Sequence, residues 1–131
     1  ALAVGAGRAA VGITDTDDAI EELASHRPVK IIYPDAGPDQ DGVLFIPNTL
    51  ALVKGAPHPE AARKLIEFLL RPEIETMLAN GPSAQIPLNP LVTTVTQVET
   101  PKTVKAMPVD FAKAAEAYER VARYLEDNFL K

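Results

Sequence analysis

The hydrophobic pattern along the chain changes period several times, and each change predicts an element. Ala10–Thr14, Val29–Tyr33 and Val43–Val53 are short apolar runs, partly β-branched and bounded by turn formers, which predicts strands. The third run is interrupted by Pro47-Asn48. Proline cannot donate a ladder hydrogen bond, so this run divides into Val43–Ile46 and Thr49–Val53. Elsewhere the spacing is helical. Ala19, Ile20, Leu23 and Ala24 share one face of a helix predicted over Asp17–His26, which Pro28 stops. A tight turn from Gly55 to Pro59 leads to a helix opened by His58-Pro59-Glu60, with Ala62, Leu65, Ile66 and Leu69 as its apolar stripe. Pro72 opens a further short helix and Gly81 ends it. Phe111, Ala115, Tyr118, Ala122, Leu125 and Phe129 alternate four and three apart, predicting a last helix of about five turns. Pro34–Gly42 reads as a polar loop, and Ser83–Thr100, with Pro87 and Pro90, as irregular.

Strands mixed with helices predict an α/β fold. A strand that breaks in mid-course can serve two sheets, and sheets joined in that way form a hinged cleft. The predicted strands are too few for a complete doubly wound sheet. Ala1–Ala10 is small and apolar, with Arg8 as its one charge, and reads as the tail of an element that starts upstream. The expectation is therefore a piece of a larger protein.

Composition narrows the function classes. With 131 residues, 47% of them apolar and 24% charged, the chain suits one globular domain. A net charge of −5, with scattered basic residues, argues against nucleic-acid and anionic-lipid partners. No apolar stretch approaches the roughly 20 residues needed to span a bilayer. Zero cysteines exclude disulfides, thiolate metal sites and cysteine nucleophiles.

The densest candidate chemistry is the run Thr14-Asp15-Thr16-Asp17-Asp18, directly after the first predicted strand. One reading is helix capping, since Asp and Thr suit an N-terminus and acids complement the dipole. A second is ligand binding at a strand-to-helix turn, where hydroxyls, backbone N–H groups and carboxylates face a solute. A third is enzymatic. Asp15-x-Asp17 resembles the first motif of haloacid-dehalogenase-type phosphatases, with Asp15 as nucleophile and Asp17 as general acid. That chemistry also needs a magnesium site, a lysine and a downstream acidic pair at a strand end. Glu21-Glu22 and Glu126-Asp127 lie inside predicted helices instead, and Asp18 replaces the usual threonine. His26 and His58 flank helix ends and are not spaced as metal ligands. Asp35, Asp39 and Asp41 lack the spacing of a calcium loop and read as a solvated turn.

Taken in order, VGITDTDDA, KIIYPD, GVLFIPNTLALVKGAPHPEAARKLIEFLLRPE and SAQIPLNP resemble the periplasmic iron-binding and related family of ABC-importer binding proteins. The likeness runs from about Val4 to the final helix. It implies part of a type II periplasmic-binding-protein fold, two α/β lobes that close on a solute. By this resemblance residues 1–41 belong to the C-terminal lobe and 42–54 are a hinge-crossing strand. Residues 55–100 lie mainly in the N-terminal lobe, and 101–131 hold a returning helix. Thr14, Asp15, Thr16 and Asp17 are the implied ligand contacts, with Asn48 at the crossing. The implied partners are a small charged solute or metal ion and an ABC permease in the membrane. No cofactor is implied, and the localisation is periplasmic. Iron binders of the family carry adjacent tyrosines near this turn, whereas Tyr33, Tyr118 and Tyr124 are isolated, which opens the choice to phosphonates and polyamines. Elements drawn from two lobes also predict that the chain associates or swaps segments with a second copy.

Overall fold

A computed structural model describes residues 1–130, and its regular structure is helical. The helices are α1 (Leu2–Gly5), α2 (Thr16–Ala24), α3 (Pro59–Leu69), α4 (Pro72–Asn80) and α5 (Phe111–Asn128). None is long and apolar enough to cross a membrane.

The helix boundaries follow from local chemistry. Pro59 and Pro72 open α3 and α4 at the position where a missing N–H costs nothing. Asp110 caps α5, its carboxylate accepting from the Ala112 and Lys113 N–H groups, each at 3.1 Å. At the end of α2 the His26 N–H donates to Leu23 O and the Arg27 N–H to Glu22 O, both at 3.0 Å. His26 sits at φ +56, so this is a Schellman ending with histidine in the left-handed position that glycine normally takes. His26 is thus a helix terminator. Gly81 ends α4 at φ −80, an extended conformation open to any residue.

The predicted strands do not form among the described residues. Ala10–Thr14, Val29–Tyr33, Val43–Ile46 and Thr49–Val53 carry no ladder, and the one β contact is an isolated parallel bridge between Val43 and Ala106. Propensity selects an extended backbone, but a strand exists only against a partner at hydrogen-bonding distance. Among the described residues no sheet forms, and the interval 42–54 is a largely exposed irregular segment.

What replaces the sheet is a small set of side-chain contacts. Ile20 of α2, Ala84 and Val98 make the buried cluster, with Ile31 and Ile86 packed against it. The Tyr33 hydroxyl accepts from the Glu99 N–H at 3.1 Å, tying the same two regions. Helices α3 and α4 pack as a hairpin through the Leu70-Arg71 turn, with the Arg71 guanidinium 5.5 Å from the Phe68 ring centre. The Glu75 carboxylate accepts from the N–H groups of Leu88 and Asn89 at 2.7 and 2.8 Å, fastening the irregular 83–90 segment to α4.

The bridge at Val43 depends on its neighbour. Val43 N–H donates to Lys105 O at 2.8 Å, and Met107 N–H donates to Val43 O at 2.9 Å. Gly42 stands at φ +107, and a Cβ there would lie 2.6 Å from the Ala106 carbonyl carbon and the Met107 nitrogen. Only glycine meets both demands.

The accessible surface is 10595 Å². A compact monomer of 14.1 kDa exposes about 6,700 Å². The chain thus leaves far more surface in water than a compact fold of this mass, with large apolar side chains such as Ile13, Ile32 and Leu91 among it.

Candidate functional site

The aspartate run forms the start of α2. Asp15 is the N-cap residue, at φ −86 and ψ 177, yet its side chain makes no capping hydrogen bond. Thr14 Oγ1 donates to Asp18 Oδ2 at 3.0 Å, closing the turn one helical step later. The Asp18 N–H turns to Asp17 Oδ1 at 3.1 Å. Thr16 and Asp17 are half-buried, while Thr14 and Asp15 are exposed.

Three carboxylates within four residues repel one another, and the site shows it. The Asp15 carboxyl is held above its ordinary value of 3.8, first by its hydrogen bond with the Asp17 carboxyl, then by slight desolvation and by the negative charges of Asp17 and Asp18. A backbone N–H from Asp18 works in the opposite direction. The turn therefore leaves the Thr16 and Asp17 N–H groups without a side-chain acceptor, while Asp17 takes the Asp18 N–H, beside carboxylates crowded enough to favour a bound proton or cation.

Asn48 belongs to a different hydrogen-bonded group. Its Nδ2 donates to Gln85 Oε1 at 2.6 Å. No hydrogen bond joins it directly to the aspartate turn among the described residues, but the packing links the two. Gln85 follows Ala84, and Ala84 lies against Ile20 of α2. Sequence reasoning missed Asp18 as the acceptor that shapes the turn, although its i,i+4 spacing from Thr14 was the available signal. It also missed Gln85, and there the 37-residue separation left no local signal.

No three His, Asp or Glu side chains converge as a metal-holding group among the described residues. Neither the aspartate turn nor Asp35, Asp39 and Asp41 makes such a group. The phosphatase alternative loses its structural context for the same reason, and because the segment before Asp15 is not a strand.

A family model described as bacterial extracellular solute-binding protein matches residues 1–76. The chain belongs to this family. The matched span of this solute-binding protein covers the aspartate turn, the interrupted apolar run, α3 and the start of α4. It stops short of SAQIPLNP and the final helix, where the resemblance read from the sequence had continued. Three curated relatives are similar to it, each a putative 2-aminoethylphosphonate-binding periplasmic protein, from Salmonella typhimurium, Salmonella paratyphi A and Salmonella typhi. Each is 35% identical over 60 residues, 46% of this chain. The aligned region spans only 18% of each relative's length. No solved structure matches. Family and relatives place the solute-binding protein outside the bacterial cytoplasm.

Proposed function

We propose that this solute-binding protein captures a small zwitterion of the aminoalkylphosphonate class for an ABC permease, and that the start of α2 supplies contacts to it. The observation that carries the reading is an N-cap aspartate that does not cap, in the part of the chain that matches the family. Uncapped N–H groups at a helix start favour an anion such as a phosphonate. The carboxylates of Asp15 and Asp17 favour a cation such as an ammonium. A solute carrying both groups suits both demands, which either simple ion would meet only by half. The relatives' names point to the same class, whereas iron lacks both the paired tyrosines and a converging donor set.

In this reading Thr14, Asp15, Thr16 and Asp17 line one wall of a cleft, and Asn48 reports its closure through Gln85. Closure then follows from contacts the solute makes with both walls. The lobe division stays part of the proposal: residues 1–41 and 55–100 on opposite walls, 42–54 crossing between them, and 101–131 returning.

Titration calorimetry tests the assignment. The protein, in this form and in any longer natural form, should bind 2-aminoethylphosphonate more tightly than inorganic phosphate, ethylamine or ferric citrate. Asp15→Ala and Asp17→Ala should each weaken binding about tenfold or more, the loss of one charge-assisted contact, at unchanged melting temperature. Unchanged affinity in both variants would refute the site.

A further inference from the structure

We infer that α5 is a self-association surface, pairing antiparallel with α5 of a second copy. The helix is 18 residues long and buries none of them. Its apolar seam is open: Phe111 is 49% exposed, Tyr118 69%, Leu125 44% and Phe129 68%. Six apolar positions at alternating intervals of four and three are the spacing of a helix-to-helix seam, whereas a helix lying on a broad core carries a wider stripe.

The order of sizes along this seam selects the occupant. It reads large, small, large, small, large, large from Phe111 to Phe129. An antiparallel copy centred on Arg120 sets Ala115 against Leu125, Tyr118 against Ala122, and Phe111 against Phe129. Each alanine then meets a large side chain, the alternation that lets facing layers interdigitate. A parallel copy would set Ala115 against Ala115 and Tyr118 against Tyr118, leaving gaps and clashes by turns. Val121 would meet its own copy near the two-fold axis and extend the apolar contact on one side. Glu119 would meet its own copy on the other side, where Arg123 one turn later on the same helix offsets the repulsion.

The four large side chains of the seam, Phe111, Tyr118, Leu125 and Phe129, stand open, and a second copy in this register would cover all four. The antiparallel arrangement also opposes the two helix dipoles favourably.

Sedimentation equilibrium and single cysteines test the inference, and the natural absence of cysteine makes the second readout unambiguous. The chain should sediment at twice 14.1 kDa, with dissociation on dilution. Tyr118→Glu should raise the dimer Kd at least ~100-fold by burying a charge in the seam, whereas Arg120→Glu on the outer face should leave it unchanged. Far-UV circular dichroism of the Tyr118→Glu chain distinguishes lost pairing from a lost helix. Under mild oxidation, Ala115→Cys mixed with Leu125→Cys should cross-link, and neither variant alone should. A monomer at all concentrations, or no cross-link in the mixture, overturns the inference; cross-linking of each variant alone overturns the antiparallel register.

Discussion

Two helices of this chain begin with an aspartate at the N-cap, and the two aspartates behave differently. Asp110 turns its carboxylate onto the Ala112 and Lys113 N–H groups and closes the start of α5. Asp15 stands at the same position of α2, yet it makes no capping hydrogen bond, and the Asp18 N–H goes to Asp17 instead. The backbone makes the difference. Asp110 has ψ 95 and Asp15 has ψ 177, and two and three residues on stand Asp17 and Asp18 in α2 but Ala112 and Lys113 in α5. Identical residue types therefore complete one helix and leave the other unfinished. An unfinished helix start in the region matched to a solute-binding family has donors to offer a ligand.

The largest expected effect is at the finished end. Asp110→Ala removes two hydrogen bonds and should cost about 1 kcal/mol of α5 stability, as N-cap truncations do. Hydrogen exchange should show lost protection at the Ala112 and Lys113 amides, with the α2 amides unchanged. Asp15→Ala should leave α2 protection as it was. Equal losses at both helices would abolish the contrast.

A smaller effect concerns pH. A carboxyl whose value is raised in the folded chain binds its proton more tightly there than when unfolded. Its contribution is fully present below the ordinary 3.8 and is lost as pH rises through the raised value. Stability should therefore decline across that acidic window. Asp15→Asn should flatten the decline and make the variant relatively more stable towards neutral pH, which melting temperatures between pH 3 and 7 would show. A steeper decline in the variant would place the strained proton elsewhere.

The contrast also explains how much the sequence disclosed. The starts of α3 and α4 were legible because their determinant is local, a proline at the first helical position, and α5 was legible from its apolar spacing, though its Asp110 cap was missed. The open state of the α2 start was not legible, because an aspartate at the N-cap suits either outcome and the backbone angle that separates them is not written in the residue type. The strands were misread for a related reason. Val29–Tyr33 has strand propensity, but Ile31 is used in packing and Tyr33 through its hydroxyl, with no ladder between them. Ties such as Glu75 to Leu88 and Asn48 to Gln85 join residues whose spacing carries no periodic signal. The aspartate turn itself was visible as chemistry; its geometry and its link to Asn48 through Gln85 were not.

The smallest expected effect tests whether the unfinished start is built or accidental. Thr14 donates its hydroxyl to Asp18 across the turn, and both side chains are exposed. Thr14→Val keeps the shape and removes that donor. An exposed hydrogen bond of this kind contributes about 0.5 kcal/mol, so the melting temperature should shift little. Solute affinity should shift more, since Asp18, released from Thr14, is free to swing into the space where the α2 N–H groups point and repel the phosphonate. If Thr14→Val lowers stability and leaves affinity alone, the turn is structural and the unfinished helix start has no part in binding. If affinity falls at nearly constant stability, the same five residues that look like a helix cap are held open for a ligand.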